Sequence, residues 1–185
     1  MIVTRDGGVW ALRVKNGKDA QWKILLMRFG PRSSEPVKII ELAGEAASFA
    51  LSPDERRLLV TRHSNLVTLV DVDGGVITER DMGFKVRRCM FLSDEEILGA
   101  SPKGIHRINA RTLEEAETFP YKDKDLSGGP GGVIVVSAML FEKKDLGIRI
   151  VSAKDFKVLK EFAIPGHVLT LGRLSPDGRY MACMA

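Results

Sequence analysis

The chain has 185 residues, 44% hydrophobic and 28% charged, a balance that excludes a disordered chain and suits one domain or most of a larger one. Its net charge of +4 comes from 28 basic and 24 acidic residues that are interspersed, so it favours acidic partners only mildly and gives no reason to expect nucleic acid. The longest apolar run, Gly131 to Phe141, is far short of the about 20 residues a helical membrane span needs.

In chain order, Met1-Ile2-Val3 leads to a turn at Asp6-Gly7-Gly8 and then to an apolar stretch from Val9 to Val14. Trp22 to Phe29 reads as a further strand, followed by a long loop through Gly30-Pro31 to Pro36. Phe49-Ala50-Leu51, the turn Ser52-Pro53-Asp54-Glu55 and Leu58 to Thr61 repeat the strand, tight turn, strand pattern. Cys89 to Leu92, Ser93-Asp94-Glu95 and Ile97 to Ala100 repeat it with the proline deleted. Leu169 to Leu174, "SPDG" and Tyr180 to Met184 repeat it again. Proline sets φ early in such a turn, and aspartate bonds back to the backbone two residues on.

A second repeat interleaves with the first. "GIHRINARTLEEAETF" at 104–119 matches "GIRIVSAKDFKVLKEF" at 147–162, and Asn109, Ser152 and Asp71 of "LVTLVDVDGGVITERD" fall on one position. All three are short polar residues able to close a turn with their own side chain. Each lies between an apolar strand and a second strand: Val76 to Arg80, Glu114 to Phe119, or Val158 to Ile164. Short, β-branched runs bounded by turns indicate strands, and a four-strand unit recurring every about 40 residues indicates propeller blades. The expected fold is all-β, with blades at about 1–42, 47–81, 86–119 and 121–164 and a partial blade at 167–185. In the fourth blade, "SGGPGG" at 127–132 is expected to be the first turn, after a weakly patterned strand near Tyr121 to Leu126.

The "SPDG" turn, the strand after it and the strand ends of the form [VI]-x-[DNS] resemble the repeats of WD-repeat and YVTN-type β-propellers, and the related TolB-like and prolyl-oligopeptidase propellers. The chain departs from the WD pattern in lacking any Trp-Asp dipeptide. The resemblance implies a propeller whose faces dock proteins. About four and a half blades suggest a piece of a longer propeller, with unpaired groups along Tyr180 to Met184 open to self-association. The alternative is a closed four-blade ring in which 167–184 covers an edge of blade one.

Motifs for chemistry are few. "SGGPGGV" lacks the Gly-Lys-[Ser/Thr] ending of a phosphate loop, and "DVDGG" at 71–75 puts Met82 where a calcium loop needs glutamate. His63, His106 and His167 are spread along the chain, and no carboxylate is placed in sequence to orient them. No G-x-S-x-G occurs. Catalytic residues, metal ligands and cofactors are therefore not expected. Cys89 and Cys183, two blades apart, are expected to be free and mostly buried. With no N-x-[ST] site and no signal-peptide pattern in "MIVTRDGG", a reducing cytoplasm is the expected location.

Charge divides by face. Loops joining second to third strands and blade to blade carry Lys15, Lys18, Arg62, Lys85, Lys103, Lys122, Lys124, Lys143 and Lys144. The opposite turns carry Asp6, Asp54, Glu55, Asp94, Glu95, Glu96, Asp155 and Asp177. Turns charged for solubility alone would also produce this asymmetry. The expected function is a protein-interaction scaffold that binds an acidic protein through Lys85, Lys103, Lys122, Lys124, Lys143 and Lys144. The alternatives are the non-catalytic propeller of a prolyl-oligopeptidase-like hydrolase and a periplasmic YVTN- or TolB-like propeller.

Overall fold

The structure, a computed structural model, describes residues 1–16, 21–120, 125–129, 132–140, 145–162, 170–175 and 179–184. Its turns are built by the residue types that announced them. The Ser52 hydroxyl donates to Asp54 Oδ1 at 2.5 Å and accepts the Arg57 N–H at 2.9 Å, while Asp54 Oδ1 also accepts the Arg56 N–H at 3.0 Å. Without proline, Ser93 Oγ takes over and accepts from the N–H groups of Glu95 at 3.2 Å and Glu96 at 3.1 Å. In the second kind of turn, Asp71 Oδ1 accepts from Asp73 N and Asn109 Oδ1 from Arg111 N, at 2.7 and 2.8 Å, and Ser152 Oγ accepts from Lys154 N at 3.3 Å.

Two of these turns share a costly feature. Leu113 and Phe156 occupy the left-handed region at φ 57° and 56°, where a bulky side chain loses roughly 1–2 kcal/mol. Both are buried, at 0% and 3% exposure, and burying a side chain of that size contributes about 1.5–3 kcal/mol. The apolar residue after the turn thus acts as a plug between neighbouring sheets.

The hairpins assemble into sheets. β1 (Ile2–Val3), β2 (Val9–Asn16), β3 (Trp22–Phe29) and β4 (Pro36–Ala43) form the first, in sequence order. β5 (Ala46–Leu51), β6 (Arg57–Arg62), β7 (Leu66–Asp71) and β8 (Val76–Asp81) form the second. β9 (Arg88–Phe91), β10 (Glu96–Ser101), β11 (Gly104–Asn109) and β12 (Glu115–Phe119) form the third. β13 (Asp125–Gly129), β14 (Val133–Leu140), β15 (Asp145–Ser152) and β16 (Val158–Phe162) form the fourth, and β17 (Thr170–Leu174) pairs with β18 (Met181–Met184). All pairings are antiparallel, and no helix longer than a single 3₁₀ residue occurs among the described residues.

The apolar core lies between sheets, as in stacked blades. Trp10, Ile24 and Leu26 of the first meet Leu58, Val60 and Val70 of the second. Leu59 and Leu69 meet Ile97, Ile108 and Leu113, and Leu98 and Ile105 meet Ile134, Val151 and Phe156. Val135 and Ile148 pack against Leu174 and Met181, so the last hairpin continues the series. First strands β5, β9, β13 and β17 run beside one another, whereas the fourth strands β8, β12 and β16 are largely exposed.

Two expectations are corrected. The glycine-rich stretch is only partly the first turn of the fourth blade: Ser127-Gly128-Gly129 belongs to strand β13, and the connection to β14 falls within 130–132. A side chain at Gly128 would come within 2.7 Å of Met90 Cε of the third blade, so that methionine would have to move to make room for one. Ser127, 7% exposed, donates to the Gly172 carbonyl at 2.6 Å, which ties the fourth sheet to the fifth. Cys89 is buried as expected, but Cys183 is exposed. It lies on β18, the outer strand of a two-stranded sheet with no further strand beside it among the described residues.

Candidate docking surface

The β10–β11 turn and the connection from β8 to β9 bring two of the six lysines together. Phe84 of the connection is 9% exposed and stacks on His106 of β11, with ring centroids 3.9 Å apart and an interplanar angle of 20°. Lys103, exposed in the turn, holds Nζ over the same Phe84 ring at 5.4 Å, within cation–π range. Lys85 follows Phe84 and is half-buried. The Arg87 N–H donates to the Ala100 carbonyl at 2.8 Å, which fastens the connection to the end of β10. Neither Lys85 nor Lys103 forms an ion pair among the described residues. Arg62 differs, because its Nη2 donates to Glu79 Oε2 at 2.5 Å and to Thr68 Oγ1 at 3.0 Å. Lys18, Lys122, Lys124, Lys143 and Lys144 lie outside the described residues.

Beneath Phe84 lies a polar chain that corrects the reading of the histidines. His106, 1% exposed, places Nε2 2.6 Å from Ser101 Oγ and Nδ1 3.2 Å from Glu115 Oε1 and 3.1 Å from Thr118 Oγ1. A carboxylate does orient this histidine. It arrives through a bulge: Arg107 pairs with Glu117, but Ile108 pairs with Glu115. Strict alternation would send Glu115 and Thr118 to opposite faces; the extra residue brings both to His106. Thr118 donates its hydroxyl to Glu115, so the lone pairs of both groups face Nδ1 and assign the ring proton there. Nε2 then accepts from the Ser101 hydroxyl, whose oxygen in turn accepts the Lys103 N–H at 2.9 Å.

Serine, imidazole and carboxylate in this order have the polarity of an acyl-transfer triad. Ser101 is only 1% exposed, so no acyl carbon reaches its oxygen in this conformation. Here the chain links β10, β11 and β12 to the loop above them. Burial pushes the Glu115 carboxyl up, but the bonds from Thr118 and His106 and the charge of Lys103 outweigh it and hold the group below its ordinary value.

The other histidines do not join it. His63 is exposed in the β6–β7 turn, and His167 lies outside the described residues. Among the described residues no three of His, Cys, Asp and Glu gather as a metal would require.

On the opposite face Arg107, Arg57 and several turn acids are engaged. Arg107 donates to the carbonyls of Ala153 at 2.7 Å and Lys154 at 3.2 Å in the next blade, pairs with Glu96 at 3.2 Å and stacks over Phe156 at 5.4 Å. Arg57 makes the same link one blade earlier, to the carbonyls of Ala110 at 3.1 Å and Asp94 at 2.5 Å. The Asp54 N–H donates to Asp94 Oδ1 at 3.1 Å, and the Arg5 N–H to Glu55 Oε1 at 2.7 Å. Asp6 is held below the usual carboxylate range by the Thr4 hydroxyl, the Gly8 N–H and Arg28. At Asp54 burial acts upward, but Ser52, the Arg56 N–H and the charges of Arg57 and Arg56 outweigh it.

A cleft of about 540 Å³ runs along the innermost strands, lined among others by Ser48, Phe49, Cys89, Leu126 and Arg173. Burial pushes the Cys89 thiol up to about 12 despite contacts from Ser48, Arg88 and Thr61, so it is inert as a nucleophile.

No protein-family model matches the chain, and no curated protein does. Solved structures do. The Cps50 (Swd1) β-propeller domain of Myceliophteria thermophila superposes with a TM-score of 0.70 at 14% identity, covering 100% of this chain and 64% of that one. Hydrazine synthase of Kuenenia stuttgartiensis gives 0.72 at 17% identity, covering 98% of this chain and 56% of that one. The chain thus spans less than two thirds of the length of either. With stacked four-stranded antiparallel sheets, inner first strands and these two likenesses, the chain has the β-propeller fold.

Proposed function

We propose that this chain is a protein-interaction scaffold built on WD-repeat-like blades, acting in the cytoplasm and doing no chemistry of its own. Its partner is an acidic protein, docked on the lysine-bearing face. One observation carries this reading: Lys85 and Lys103 are held on a braced loop and turn without ion-pair partners among the described residues, while the acids of the other face are spent on turns and blade-to-blade links. Cations on loops over a rigid scaffold suit recognition. The Cps50 (Swd1) likeness accords with a docking role. The hydrazine synthase likeness favours a second reading, a non-catalytic propeller within a larger enzyme.

The test is charge reversal. The double variant Lys85→Glu and Lys103→Glu should lose acidic partners from cell extract, and slow their association most at low salt, because screening acts over about 8 Å at physiological ionic strength. Asp73→Lys with Glu95→Lys, on the other face, is the control and should matter less. Equal retention of partners by the lysine-face variant and the wild type would remove the reading. Hydrolytic or redox turnover by the purified chain would replace it with an enzymatic one.

A further inference from the structure

We infer that the buried chain Ser101–His106–Glu115 acts, through Phe84, as a positioning device that holds Lys103 ready for a carboxylate of the acidic partner at the junction of blades two and three. This rests on the docking function proposed above and deepens it.

The argument starts from what free lysine does. Its four-carbon stem gives it many rotamers, so ordering it on binding costs affinity unless it is ordered beforehand. Lys103 is ordered from both ends. Its N–H is held by Ser101 Oγ at 2.9 Å, and its ammonium sits 5.4 Å from the centre of the Phe84 ring. Phe84 is packed in the core between the second and third sheets, and its ring plane is set by stacking at 3.9 Å on His106. His106 is itself fixed by partners on both nitrogens, from β10 on one side and β12 on the other. The order of support therefore runs from three strands, through one imidazole and one phenyl ring, to one ammonium. An aromatic face attracts the ammonium weakly and leaves its hydrogens able to donate, whereas an ion pair would occupy them. Among the described residues Glu115 is the only carboxylate whose bonds hold the device. It contacts His106, not Lys103, so the ammonium stays available to a partner.

A bound carboxylate would gain the directional charge-assisted hydrogen bonds of an ammonium already in place. Lys85, adjacent to Phe84, adds a second cation on the same connection. The fitting partner is thus a peptide with Asp or Glu side chains. A short acidic side chain need reach only Lys103 and Lys85, whereas a continuous phosphate backbone would also run along a flank of Asp81, Glu114 and Glu115 whose one cation among the described residues, Arg80, already pairs with Glu114 at 3.5 Å.

The experiment uses the whole chain and a fluorescein-labelled poly-glutamate peptide, read by anisotropy. Lys103→Glu should weaken binding about tenfold or more. Phe84→Leu should weaken it about threefold and Phe84→Tyr hardly at all, because tyrosine keeps the ring. His106→Gln should act as Phe84→Leu does; if it fails to fold, the Phe84 pair carries the test. A second readout is the Lys103 ε-methylene proton resonance. Ring current should shift it upfield in the wild type and Phe84→Tyr, and that shift should vanish in Phe84→Leu. Wild-type affinity in both Phe84→Leu and His106→Gln, with Lys103→Glu still defective, overturns the positioning device and leaves docking intact. Full affinity in Lys103→Glu overturns the placement at this junction. No binding of the peptide by the wild type removes the docking function itself, and preference for a single-stranded oligonucleotide over the peptide overturns the partner class.

Discussion

The two faces of this propeller use charge in opposite ways. On the turn face, arginine and carboxylate are structural: Arg57 and Arg107 each cross to the carbonyls of the next blade, and Asp54 closes its own turn while its N–H reaches Asp94. On the other face Lys103 rests on a ring, without a carboxylate. The geometry engages the acids of the turn face, while Lys85 and Lys103 have no ion-pair partner among the described residues. A charge engaged by backbone carbonyls is part of the fold, and reversing it reports on stability before it reports on binding.

That difference can be broken most sharply at Arg107. Replacing it with alanine removes two carbonyl contacts, an ion pair and packing over Phe156, and should cost about 3 kcal/mol in urea unfolding. Arg107→Lys should recover only part, because lysine lacks the fork that reaches Ala153 and Lys154 together. The same alanine variant should speed labelling of Cys89, which is 8% exposed with its thiol pushed up to about 12, while exposed Cys183 reacts promptly in both proteins. A loss below about 1 kcal/mol would mean that the turn-face charges are not structural.

A smaller effect is expected inside one turn. Ser52→Ala and Asp54→Ala each remove acceptors for turn N–H groups and should cost about 1 kcal/mol in the same assay. Ser93→Ala should match them, since Ser93 accepts from two N–H groups without help from proline. If Ser93→Ala were neutral, the two turn designs would not be equivalent.

Acid should sharpen the contrast further. Asp6, Asp54 and Asp155 all have folded values below their ordinary 3.8, so the unfolded chain binds more protons between the two values. The stability they contribute is present above 3.8 and is lost as pH falls through the folded values. The largest causes at Asp6 and Asp155 are the hydroxyls of Thr4 and Ser152. Asp54→Asn should therefore flatten the fall in thermal midpoint below that pH. An unchanged slope would show that Asp54 is not held by its turn. The smallest effect belongs to the other face: Lys85→Ala and Lys103→Ala should each change stability by less than about 0.5 kcal/mol. A larger loss would make Lys103 a structural residue and erase the contrast between the faces.

Much of the fold was legible in the residues. Ser-Pro-Asp, Asn109 and Ser152 act within a few positions of themselves, and the strand periods on either side depend on local backbone geometry. Repetition of those local signals was enough to show blades. The signal misled where a tertiary contact overrode composition. Ser127-Gly128-Gly129 reads as a turn, yet it is a strand that pairs with Val133–Val135 of β14, with Met90 of the preceding blade against Gly128.

The candidate site was less legible. Sequence reasoning reached Lys85 and Lys103 from loop charge, but not Phe84, which comes from a connection with no pattern of its own. His106 was visible only as a histidine within a strand. What orients it is Glu115, and alternation places Glu115 on the wrong face until the bulge beside Ile108 is known.

Sequence alone therefore determined the repeating unit, its strands and the chemistry of its turns, because those follow from interactions between near neighbours in the chain. Tertiary structure decided which charges are engaged and which remain available. A cation is free or occupied according to the carbonyls, carboxylates and rings that distant segments bring within hydrogen-bonding or stacking distance, and for Arg107 and Lys103 those segments are the next blade's turn and the Phe84 loop.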